Sequence, residues 1–127
     1  MRSRLLTAII FFSGASFLLS ATIRNSCKTT IDFTVHRLSG ARVYVTWHTV
    51  NESGQVRFEV LRRHKTTEPF VSIGVAEPKS QQDGFTDYSF VDTNEYRDSS
   101  FYCLKKYASD VIFYSLAKGV EGVGKTR

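Results

Sequence analysis

Cysteine is scarce in this chain: two residues in 127, Cys27 and Cys103. That excludes a small domain held together by several disulfides, so a packed core must supply most of the stability. Helical patterning is also missing. After Arg24 no apolar periodicity of the helical kind lasts longer than a turn, which excludes a bundle or a helix-covered parallel sheet. There are no internal repeats and no low-complexity run. Histidine occurs three times, as His36, His48 and His64, in no H-x-H or H-x-x-x-H spacing. A zinc site wants three or four converging ligands, and only Cys27 adds a soft one near His36, so surface histidines are expected. No serine sits in a G-x-S-x-G turn, and no Ser/His/Asp grouping stands out. Nothing asks for a cofactor or a metal, and no catalytic constellation is found. The net charge of +5 is too mild for a nucleic-acid-binding signature.

What is present begins with Met1-Arg2-Ser3-Arg4, a basic start. Leu5 to Leu19 carry no charge, and the small residues Ser20 and Ala21 follow. This pattern predicts a secretory signal peptide over 1–21. A retained membrane anchor is the alternative, but Ser13, Gly14, Ser16, Ser20 and Thr22 make the stretch marginal for a span of ~20 apolar residues. Export would give an extracellular or envelope protein with no membrane span of its own. Residues 22–30 read as a polar segment ahead of the domain.

The chain then organises around Val43-Tyr44-Val45-Thr46-Trp47. Val43, Val45 and Trp47 alternate with polar positions, the period of a strand with one buried face. The single Trp is a large apolar anchor. Further strands are expected around Ile31–Val35, Val56–Arg62, Phe70–Val75, Tyr88–Asp92, Phe101–Tyr107 and Val111–Ala117, with residues 78–87 as loop. Seven short strands with regular turn signals predict an all-β sandwich or small barrel. The expected core joins Val45, Trp47, Phe58, Val60, Phe90, Tyr102 and Leu104. Gly119 onward reads as a flexible tail.

Several residues invite a role and a plainer reading. Glu52, after the Trp strand, is expected to accept backbone N–H groups of its own loop. Asp92 reads as a turn residue, and Glu59 as a cross-strand charge partner. Arg62-Arg63-His64-Lys65 is the densest charge cluster, expected as a solvated turn, with an anionic polysaccharide or membrane surface as its functional alternative.

The ordered motifs resemble a known family. Val45-Thr46-Trp47-His48-Thr49, Glu52, Phe58-Glu59-Val60-Leu61-Arg62, Phe70-Val71-Ser72-Ile73-Gly74, Tyr88-Ser89-Phe90-Val91-Asp92, Phe101-Tyr102-Cys103-Leu104-Lys105 and Tyr114-Ser115 follow one another as in a fibronectin type III-like, immunoglobulin-like sandwich. The resemblance is to the version found in secreted proteins of the Bacteroidota, often ahead of a type IX sorting domain. It covers 31–118. Cys103 stands where that family usually has Arg, and no sorting domain is found before Arg127. The resemblance implies a non-catalytic spacer or binding module whose partner is a protein or glycan. A small secreted enzyme or inhibitor on the same sandwich is the alternative.

Two strands offer outward faces that are not simply polar. Leu61 joins Arg57, Glu59 and Arg63; Phe101 and Tyr107 join Cys103 and Lys105. Leu61, Arg63, Phe101, Lys105 and Tyr107 are therefore the expected partner face, extended by Phe113. Cys103, alternating away from Tyr102 and Leu104, is expected on the outer face of its sheet, where a bridge to Cys27 is open if the two Cα atoms come within ~7 Å.

Overall fold

The computed structural model describes residues 31–52 and 56–125. The expected signal peptide, the polar segment and Cys27 lie outside the described residues. Nine strands are described: β1 (Thr34–Arg37), β2 (Arg42–Val50), β3 (Val56–Arg63), β4 (Val71–Ala76), β5 (Pro78–Gln82), β6 (Phe85–Thr93), β7 (Ser100–Ala108), β8 (Val111–Tyr114) and β9 (Lys118–Val120). They form two antiparallel sheets, ordered β1-β2-β6-β5 and β4-β3-β7-β8, with β9 also on β7. The all-β expectation holds, and the sheets pack face to face as a sandwich.

The alternation of β2 is what sets the first sheet. Val43, Val45 and Trp47 are buried while Arg42 and His48 are exposed. In the second sheet Phe58 and Val60 of β3 face the same core as Tyr102 and Leu104 of β7. Val45, Trp47, Phe58, Val60, Tyr102 and Leu104 are buried together, and Phe90 packs against them partly buried. Its ring fills the space beside Gly74, where an added Cβ would lie 2.7 Å from it. At the centre Trp47 stacks on Tyr88 (5.2 Å, 2° between planes), and Phe58 meets both edge-on at 5.3 and 4.8 Å. One aromatic cluster thus joins the two sheets.

Three departures from the sequence reading concern edges and ends. The stretch 78–87 is a hairpin rather than a loop: β5 pairs with β6 across Asp83-Gly84, both in left-handed conformation (φ 51° and 81°). Asp-Gly is the pair that favours a two-residue hairpin turn. Pro78 opens β5 at the edge, where no ladder N–H is needed. The last expected strand, Val111–Ala117, is broken: β8 ends at Tyr114 and β9 takes up pairing at Lys118. Residues 119 and 120, expected as tail, therefore belong to the second sheet, with Val120 buried in the core.

The ends of the sandwich are closed by polar clasps. Arg37 donates to three backbone carbonyls, Gly40 at 3.0 Å, Asn94 at 2.7 Å and Glu121 at 3.0 Å. Lys118 reaches the Asp32 carboxylate at 2.7 Å and the Phe33 carbonyl. These contacts tie β1 of one sheet to β9 of the other. Among the described residues no helix is long and apolar enough to cross a membrane.

Candidate functional site

The antiparallel register of β3 and β7 places Arg57 opposite Tyr107, Glu59 opposite Lys105, Leu61 opposite Cys103, and Arg63 opposite Phe101. Alternation sends all eight outward, away from the Val60–Leu104 core pair. Leu61, Arg63, Phe101, Lys105 and Tyr107 thus share one outer sheet face. Cys103 points to the outer side, yet it is buried, as is its neighbour Leu61. Its Sγ lies 3.3 Å from the Ser115 carbonyl oxygen.

Cations and rings interleave on this face. The Arg57 guanidinium lies 4.3 Å from the Tyr107 ring centre. Lys105 lies 4.9 Å from Tyr107 and 5.7 Å from Tyr114. Arg63 lies 4.3 Å from Phe70 and 5.7 Å from Phe101. Such contacts hold a cation in place without neutralising it. A hydrogen bond with Tyr107 holds the Lys105 ammonium above its ordinary pKa, so it stays charged. Glu59 is the carboxylate on these rows, and it pairs with Arg57 at 3.3 Å.

Phe113 does not extend the face. The two-residue turn Ser109-Asp110 sets Ala108 opposite Val111 and therefore Phe113 opposite Lys106, on the inner side. Tyr114, opposite Lys105, and Ile112, opposite Tyr107, take the outer positions. Phe70 and Val75, which stands opposite Glu59, complete the surface. Counting register through the turn from Ala108 would have found Tyr114 and Ile112 in the sequence. Phe70, expected as the first residue of a strand, lies just before β4, and its place on this face was not read from the sequence.

The basic run 62–65 is not one patch. Arg62 turns inward to Asp92 (2.7 Å), Arg63 outward to the two Phe rings, and His64 to Ser100, with Nδ1 and Oγ 3.0 Å apart and its ring against Tyr96 at 4.2 Å. Lys65 alone is left exposed in the turn, its carbonyl accepting from Glu68 N–H. Asp92 is a buried residue inside β6, not a turn residue: it accepts from Arg62 and from Tyr102 OH (2.7 Å), and Asn94 Nδ2 donates to that same phenol oxygen and to Ser100. Glu52 is likewise drawn inward: Tyr88 OH donates to it at 2.8 Å and Lys106 stands at 3.6 Å. Burial, with these carboxylates beside them, pushes the Tyr88 and Tyr102 phenols well above the ordinary tyrosine pKa.

The first sheet carries an open cleft of about 790 Å³ at the Thr46–Val50 end of β2, past the last pair with β1, lined by Asp32, Thr34, Thr46, His48, Lys79 and Asp87 among others. Its polar groups largely satisfy one another: Thr34 with Thr46 (2.6 Å), Ser80 with Asp87 (3.1 Å), Asp32 with Lys118. His36 and His48 share this outer side but stand four register positions apart, His36 stacked on Tyr44 and His48 beside Phe85. Among the described residues no three His, Cys, Asp or Glu side chains group as metal ligands.

The described residues define a two-sheet antiparallel sandwich. No family model matches the chain, and no curated protein matches it. Fifteen solved chains do. One is the solution structure of the carbohydrate binding module of the muscle glycogen-targeting subunit of Protein Phosphatase-1. The TM-score is 0.53 at 14% identity, over 78% of this chain and 75% of that one. At that identity the likeness is one of fold.

Proposed function

We propose that this protein is an exported, non-enzymatic binding module that contacts a glycan through the outer face of β3, β7 and β8. The observation that carries the reading is the interleaving of Phe70, Phe101, Tyr107 and Tyr114 with Arg57, Arg63 and Lys105 on a rigid sheet. Aromatic rings offer apolar area to the C–H faces of sugars, and fixed cations offer donors to their oxygens. The carbohydrate-binding neighbour in fold agrees with this class, though a fold alone assigns no ligand. The strand orders support the immunoglobulin-like resemblance: β1-β2-β6-β5 runs as A-B-E-D, and β3-β7-β8 as C-F-G, with β4 as an added edge. Tyr102, near the start of the F-like strand and bonded back to Asp92 and Asn94, is similar to a tyrosine corner.

A catalytic reading has less support. The Ser–His contact in the described residues, Ser100 with His64, ends on a serine with no exposed surface, where no substrate reaches. The test is a polysaccharide panel against the purified protein, by affinity electrophoresis. Retarded migration in at least one gel, abolished by Tyr107→Ala with Phe101→Ala, supports the reading. Unretarded migration in every gel would sink it.

A further inference from the structure

On the first sheet, Asp32 and Asp87 are bonded to Lys118 and Ser80. On the second, Arg57, Arg63 and Lys105 face one carboxylate on the β3–β7 rows, Glu59, and that carboxylate is paired with Arg57. Among the described residues neither Arg63 nor Lys105 has a carboxylate within ion-pair distance. Both are instead held by rings.

Arg63 is the more specific of the two. Phe70 and Phe101 lie on the guanidinium, and Nε is buried without a partner. A guanidinium fixed in this way keeps its terminal N–H groups as a planar fork, the shape that meets a carboxylate or sulfate with two hydrogen bonds. Lys105 stands four rows away, opposite Glu59, at ~13 Å along the strand at ~3.3 Å per residue. Buried Leu61 and Cys103 occupy a row between them. Two cations that far apart, neither paired with a carboxylate, suit a ligand with charges spaced along a chain of rings.

Resting on the glycan reading above, we propose that this face binds an acidic polysaccharide, with carboxylate or sulfate groups on its sugars. The Arg63 fork between Phe70 and Phe101 receives one anion, and Lys105 receives a second further along the chain. Nucleic acid fits less well. Its backbone presents a charge every few ångströms, and binding draws on many phosphate contacts rather than two.

The experiment measures affinity of the purified protein for alginate, dextran sulfate, neutral dextran, glycogen and a single-stranded DNA oligomer. Binding to alginate or dextran sulfate, weakening as sodium chloride is raised, is the expected result, and the two polymers tell carboxylate from sulfate. Arg63→Lys keeps the charge but loses the fork, and should weaken binding by about tenfold. Arg63→Gln with Lys105→Gln should abolish it, while Lys79→Gln on the other sheet leaves it unchanged. Melting temperatures confirm that each variant is folded. Equal binding to dextran or glycogen, unaffected by the Arg63 and Lys105 variants, overturns the acidic ligand and leaves the glycan reading standing. No binding to any polysaccharide overturns both. DNA bound as tightly as the acidic polymers overturns the choice of ligand class.

Discussion

Asp92 holds two donors at 2.7 Å, the Arg62 guanidinium and the Tyr102 hydroxyl. A buried carboxylate needs both, because each lost donor leaves part of its charge unsolvated. Tyr102→Phe should therefore cost about 1–3 kcal/mol, read as a lower urea midpoint. The same phenol, with Tyr88, gives the protein an alkaline limit. Folding raises both pKa values, so the unfolded chain releases these protons first. Stability is fully present below the ordinary tyrosine value of ~10 and falls as pH rises above it. Urea midpoints measured from neutral to alkaline pH should be flat and then decline, and the decline should be smaller in Tyr88→Phe with Tyr102→Phe. Trp47 behaves differently. Its indole Nε1 is buried with no hydrogen-bond partner, so its value is packing against Phe58 and Tyr88. Trp47→Ala should cost ~3–5 kcal/mol. Trp47→Phe should cost clearly less, since no hydrogen bond is lost. Equal losses in the two variants would contradict this.

Strands with one apolar face were legible in the sequence, and strands without one were not. β2 alternates strictly, and β3 and β7 alternate apart from Leu61 and Cys103, which are buried on the outer side. β5 is exposed at all five positions, so hydrophobicity gives no sign of it, and only the Asp83-Gly84 turn does. The outer face of β3 and β7 was legible for the same reason as their inner face. Phe113 was misplaced because strand parity depends on turn length, and one residue of slip reverses every side chain. Asp92 was misread, and the Tyr88 and Lys106 contacts of Glu52 went unforeseen, because local sequence does not reveal which distant donor will reach a carboxylate. The C-terminal stretch was misread because glycines suggest freedom. Here Gly122 is an element of packing: an added Cβ would stand 1.9 Å from the Arg97 carbonyl oxygen. Gly122→Ala must displace backbone and should cost about 1–3 kcal/mol, as overpacking does. Gly40→Ala, in open space at φ 56°, meets only backbone strain of about 1 kcal/mol. Thermal melts of the two variants should rank in that order.

At the scale of the whole molecule, the two sheets are joined at the centre by the aromatic cluster and along β1 and β9 by Arg37 and Lys118. Removing residues 118–127 takes away β9, buried Val120 and the Glu121 carbonyl that Arg37 binds. The shortened protein should melt lower, and its β1 amides should exchange hydrogen faster than its β3 amides relative to the full chain. Equal protection of β1 in both would show that β9 does not hold it. The Arg37 clasp also has a meaning in time. Its bond to Glu121 links residues 84 positions apart, from the end of β1 to just past β9, so every strand described after β1 lies within the loop it closes. Contacts of such long range are costly to form early and belong late on the folding route. Arg37→Met should then leave the folding rate nearly untouched and speed unfolding, so that both sheets come apart sooner once the latch is gone.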